Sequence, residues 1–132
     1  MDPLAPDYYE LPFYSVNDVA EAWGLNYHLF NILKYSIRAY KKNGLQDISK
    51  AFVYLRRLQK LNYIPRTTTQ IPDIDYWKLV TAWIDHIDNY QLQVLAALYS
   101  LRRLHGGFQQ LQNLSTALTN LEANIKAGHG ST

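Results

Sequence analysis

The chain contains no cysteine. Disulfide bonds and thiolate chemistry are therefore excluded, which fits a cytoplasmic protein. It also lacks any apolar run near the ~20 residues that a membrane-spanning helix needs, so no membrane partner is expected. The first residues, MDPLAPDYYELPFY, carry acids and prolines where a secretion signal has a basic start and an apolar stretch. There is no Walker-type phosphate loop and no GxGxxG turn. The histidines are scattered: His28, His105 and His129 share no ligand spacing, and His86 stands between Asp85 and Asp88 at what reads as a helix end. Carboxylates are not grouped as a magnesium-dependent nucleotide hydrolase requires; in the first half only Asp18 and Glu21 stand at helical spacing. No metal and no cofactor are expected, and no catalytic residue can be assigned. Ser/His/Asp catalysis has no support.

What the chain does have is tyrosine and an uneven distribution of charge. Eleven Tyr and three Trp in 132 residues supply large apolar bodies with polar tips, suited to cores and to partly wet grooves. The net charge is only +2, which disfavours a general polyanion binder and makes nucleic acid a weak candidate. Yet nine of the thirteen Lys and Arg fall between Lys34 and Arg66, with Asp47 as the one acid among them. A basic zone inside a nearly neutral chain points to a localised anion site.

The pattern predicts an all-α protein of six helices in a single domain. Residues 1–14, with Pro3, Pro6 and Pro12, read as an extended arm. Ser15 to Asp18 forms a capping-box sequence that opens a helix closed by Gly24. A second helix is expected from Asn26 to Lys42, a turn at Asn43-Gly44, and a third helix from Leu45 to Leu61. Residues 62–75 read as a linker holding Pro65 and Pro72. Helices follow over Tyr76–Ile87, with Asp75 as cap, then Tyr90–Leu104 and Phe108–Lys126, and residues 128–132 read as a disordered tail. Residues 76–127 resemble a degenerate copy of residues 15–61. Ala22-Trp23 matches Ala82-Trp83, Ile37-Arg38 matches Leu101-Arg102, and Gly44-Leu45-Gln46 matches Gly107-Phe108-Gln109. Two helical hairpins that each bury one face would pack together as a six-helix bundle of two three-helix repeats. The second copy has lost most of the cations: Lys34 falls opposite Ala97, Lys50 opposite Asn113 and Arg57 opposite Asn120.

The first copy carries a recognisable series: Trp23-Gly24-Leu25, Tyr27, Leu29, Asn31, Lys34-Tyr35 and Arg38. It continues with Lys41-Lys42, Asp47-Ile48, Lys50-Ala51 and Tyr54-Leu55. Over residues 19–57 this resembles a small bacteriophage family known mainly as a domain of unknown function, which also forms part of the early nucleotide kinase of some podoviruses. Phe30 and Tyr40 stand where that family has glycine, and its His-rich start is absent. The resemblance implies a phage-encoded helical protein that handles nucleotides in the host cytoplasm.

The residues and the resemblance together define an expected site. Lys34, Arg38, Lys42, Lys50 and Arg57 are the candidate phosphate ligands, combining planar guanidinium forks with mobile point charges. Asn31, Tyr35, Asp47 and Tyr54 are the candidates for base and ribose. The expected function is binding of a phosphorylated nucleotide, in one version sequestering a nucleotide signal of host defence. The alternatives are kinase-like phosphoryl transfer between nucleotides, and a role as host-protein inhibitor or structural interaction module through the Tyr-rich arm, which also leaves room for a homo-oligomer.

Overall fold

A computed structural model describes residues 11–41, 43–61, 73–103 and 108–128. The expectations for residues 1–10, for Lys42, for residues 62–72 of the linker and for residues 129–132 of the tail lie outside the described residues. Six helices stand in chain order: α1 (Val16–Ala22), α2 (Tyr27–Ile37), α3 (Gly44–Gln59), α4 (Tyr76–Trp83), α5 (Asn89–Arg103) and α6 (Phe108–Lys126). Among the described residues there is no strand.

The helix starts follow from side chains that satisfy otherwise orphaned backbone N–H groups. Ser15 and Asp18 form the capping box: the Asp18 N–H donates to Ser15 Oγ at 3.0 Å, and the Ser15 N–H donates to Asp18 Oδ2 at 2.9 Å. Asn26 accepts from the Leu29 N–H at 2.8 Å and opens α2, and Asp75 accepts from the Trp77 N–H at 2.9 Å and opens α4. Asp88 and Gln91 exchange side-chain and backbone bonds at the start of α5, both at 2.9 Å.

Two helices end earlier than their periodicity predicts. α2 stops at Ile37 rather than Lys42, because its last carbonyls are claimed from another helix. Gln91 Nε2 donates to Ser36 O at 3.1 Å and to Ile37 O at 3.0 Å. The chain then leaves helical geometry at Arg38. α4 stops at Trp83 rather than Ile87, where residues 84–86 form a turn with the His86 and Ile87 N–H groups both directed at Trp83 O. The α2–α3 connection is tight. A Cβ at Gly44 would lie 2.5 Å from the Ala39 carbonyl oxygen and 3.3 Å from Ile125 Cγ2, so the absence of a side chain lets the turn close against α6.

α2 packs on α3 and α5 on α6, while α3 faces α6 and α2 faces α5. The four long helices thus form a closed ring, with α1 on α2 and α4 on α5. Leu33, Ile48, Leu55, Leu95, Leu114 and Leu118 fill the centre with no more than 1% exposure. Two tryptophans tie the ends together. Trp23 Nε1 donates to Ile74 O at 2.8 Å, and Trp83 Nε1 donates to Tyr14 O at 3.2 Å. Each acceptor sits one residue before the cap of the first helix in the opposite half, Asp75 and Ser15 respectively. Trp23 also meets Tyr99 edge-on at 5.1 Å, and Tyr76 packs on Tyr99 at 5.5 Å.

Tyr40 makes a second junction. Asn124 Nδ2 donates to its hydroxyl at 2.6 Å. Burial first, and then a hydrogen bond with Asp88, push its phenol well above the usual range. This polar seam joins the end of α2 to α5 and α6. Replacing Gln91 with Ala should lower unfolding stability by about 1–3 kcal/mol, because the Ile37 carbonyl loses the Gln91 donor and the Ser36 carbonyl keeps only the long bond from the Ala39 N–H. Urea denaturation checks it, with an unchanged midpoint as the contrary result.

Candidate functional site

The site lies on the outer face of the α2–α3 hairpin. Asp47, Lys50, Tyr54 and Arg57 recur at helical spacing along one stripe of α3. α2 contributes Tyr27, His28, Lys34 and Tyr35, and the turn after it contributes Arg38. Tyr35 is the hub. Lys34 Nζ lies 4.6 Å from its ring centroid, Lys50 Nζ 5.4 Å and Arg38 Cζ 5.7 Å. Three cations therefore crowd around one ring, within a span comparable to the ~10 Å Debye length at 0.1 M salt. The ring quadrupole offsets part of their mutual repulsion, at roughly 0.5–1 kcal/mol per exposed contact.

A second set of rings continues the patch. Tyr54 lies 6.3 Å from Tyr35 with planes only 17° apart. It meets Tyr27 edge-on at 5.6 Å and His28 at 5.9 Å. The hydroxyls of Tyr27 and Tyr54 are 3.4 Å apart. That hydrogen bond, followed by burial, raises the Tyr54 phenol above its ordinary range. Arg57 Cζ lies 5.5 Å from the Tyr54 ring, and Lys34 also reaches over Phe30, 5.8 Å from its centroid.

The charges fall into two groups. Arg38 Nε approaches Asp47 Oδ2 to 3.1 Å, with side-chain exposures of 19% and 1%. The contact is an ion pair without the alignment of a hydrogen bond, and Asp47 Oδ1 finds no hydrogen-bond donor among the described residues. Asp47 also sits in the first turn of α3, where a carboxylate complements the helix dipole. Lys34, Lys50 and Arg57 are different: among the described residues no carboxylate pairs with any of them.

The structure thus gathers Lys34, Tyr35, Arg38, Asp47, Lys50, Tyr54 and Arg57 into one patch. Lys42 lies outside the described residues. Asn31 is turned inward. It is 3% exposed and its amide donates to Tyr27 O at 2.8 Å, so it braces the backbone beneath Tyr27 instead of facing a ligand. Tyr27, His28 and Phe30 went unassigned in the sequence, although Tyr27, Asn31 and Lys34 follow one another at helical spacing and that register was available. Asp18 is spent on the α1 cap. Among the described residues no three His or acidic side chains converge as a metal site, and no helix is long and apolar enough to cross a membrane.

Comparison with known proteins adds one likeness. No curated protein and no solved structure matches the chain. Residues 13–56, which run from just before α1 into the last turns of α3 and hold nearly all of the cation–tyrosine patch, are similar to a family described only as "Protein of unknown function (DUF3310)".

Proposed function

We propose that the α2–α3 face binds a phosphorylated nucleotide. The observation that carries this reading is the placement of Lys34 and Lys50 around Tyr35 with no carboxylate on either among the described residues. Like charges held this close destabilise the empty protein, and a bound phosphate would relieve them. The phosphate oxygens go to Lys34, Lys50 and Arg38, with Asp47 steadying Arg38 from the buried side. Arg57 extends the positive field toward Tyr54, and the tyrosine rings offer stacking surface at about 1–3 kcal/mol per base. The function is binding rather than turnover. In the phage setting that the sequence resemblance implies, it is sequestration of a host nucleotide signal. The test is a thermal-shift panel of mono-, di-, tri- and cyclic nucleotides. A ligand present at a hundred times its Kd stabilises by about 2.7 kcal/mol, which moves the melting temperature by several degrees. No shift with any nucleotide overturns the reading. Incubation with ATP and deoxynucleoside monophosphates separates binding from kinase action: turnover that depends on Lys34 ends the sequestration reading.

The same proposal includes an internal duplication. It is supported by the pairing of α2 with α3 and α5 with α6, and by packing between the corresponding helices, α3 on α6 and α2 on α5. The exchanged Trp23 and Trp83 hydrogen bonds, on matching positions with matching acceptors, support it further. The buried pairs Ile48 and Leu111, Ala51 and Leu114, Leu55 and Leu118, and Leu58 and Leu121 keep one register. For α2 and α5 the caps Asn26 and Asp88 favour setting Leu33 opposite Leu95, in place of Ile37 opposite Leu101. The family likeness spans only the first unit, the one that kept its cations.

A further inference from the structure

We infer that the groove between α1 and α2 is the base subsite of this nucleotide site, and that Glu21 with Asn17 reads a base edge bearing an amino group. The inference rests on the nucleotide-binding reading above. The groove is open to solvent and offers about 280 Å³, close to the ~300 Å³ at which small-ligand pockets begin. Leu25 lines its buried side, and Tyr27 and Phe30 supply aromatic walls. Tyr27 is 65% exposed, so much of its surface is available for stacking.

The groove is continuous with the cationic patch because the two share their rings. Phe30, a wall of the groove, lies beneath Lys34 at 5.8 Å. Tyr27, the other wall, touches Tyr54 through ring and hydroxyl. A base held on Tyr27 and Phe30 therefore has Lys34 at its border, and the phosphates of the same molecule meet Lys34, Lys50 and Arg38.

Of the polar residues lining the groove, Asn26 is buried and caps α2, which leaves Asn17 and Glu21 accessible to a ligand. Asn17 and Glu21 lie four residues apart on α1, both exposed, and Glu21 has no ion-pair partner among the described residues. A carboxylate is an acceptor only, so it requires N–H donors. An exocyclic amine, alone or beside a ring N–H, provides them. Guanine, adenine and cytosine qualify, whereas thymine and uracil carry no amine. Asn17 can both donate and accept, and completes the edge. The charges also set the direction of binding. Glu21 repels phosphate at one end while Lys34 and Lys50 attract it at the other.

Calorimetric titration of the full chain tests this with ribose 5-phosphate and with matched pairs differing in one amine: guanosine against inosine monophosphate, and adenosine against purine riboside monophosphate. The wild type should favour each amino-bearing member by roughly tenfold or more, the value of one charge-assisted hydrogen bond. Glu21→Ala should remove that preference while ribose 5-phosphate still binds, and should leave the melting temperature of the free protein unchanged, since Glu21 is exposed. Equal binding within both pairs, or a preference that survives Glu21→Ala, overturns the base subsite and leaves the phosphate site standing. Failure of every nucleotide and of ribose 5-phosphate to bind overturns both.

Discussion

Replacing Trp83 with Ala should lower the unfolding free energy by about 3–5 kcal/mol, the range for truncating a buried aromatic side chain. Trp83 is fully buried at the last position of α4, and its indole N–H donates to the Tyr14 carbonyl. Alanine leaves a cavity that the short α4 cannot collapse into, because that helix is fixed by Asp75 at one end and the turn at residues 84–86 at the other. It also orphans a carbonyl in a partly buried place. Trp83→Phe should cost less, since it keeps most of the volume and loses the hydrogen bond. Trp77, on the same helix but 71% exposed, is the control: its replacement by Ala should stay within about 0.5 kcal/mol. Chemical denaturation of the three variants checks the ranking. Equal effects at Trp83 and Trp77 would contradict the packing of α4 described above.

The Lys34→Ala, Lys50→Ala double variant should lose more than a hundredfold in nucleotide affinity. Each lysine is placed to make a charge-assisted hydrogen bond to phosphate, at about 1.5–3 kcal/mol, and each 1.4 kcal/mol is a factor of ten. The free protein should stay within about 1 kcal/mol of wild-type stability. Removing the lysines loses two contacts with Tyr35 but also relieves the crowding of like charge around that ring. This combination distinguishes a ligand site from a structural brace. A brace would lose stability and leave binding untouched. The wild-type affinity should also fall steeply as salt rises, and the variant's less steeply, since only Arg38 and Arg57 remain to attract phosphate. Titration at low and high salt reads both effects.

The helices were legible in the sequence because burial follows a helical period and the caps are written in short-range chemistry. Ser15, Asn26 and Asp75 each announce a helix by residue type and position. The early ends of α2 and α4 were not legible. Periodicity continues past Ile37, and what stops α2 is the Gln91 amide from a helix more than fifty positions away in the chain. The cation–tyrosine patch was largely visible, since Asp47, Lys50, Tyr54 and Arg57 share a stripe. Asn31 was misread for a physical reason: a polar residue on a helix shows its register but not whether its amide turns back onto its own backbone. Tyr27 and Phe30 were missed because an aromatic beside apolar neighbours looks the same in sequence whether it fills a core or walls a groove.

The exchanged tryptophan bonds also bear on how the molecule comes apart. Each indole is held by the stretch leading into the first helix of the other half of the chain, so loosening either half strands a buried donor in the other. Heating should therefore melt both halves in one transition, with two separate calorimetric transitions as the contrary result. A molecule clamped to the α2–α3 face alone should in consequence slow amide exchange in α5 and α6, which it never touches.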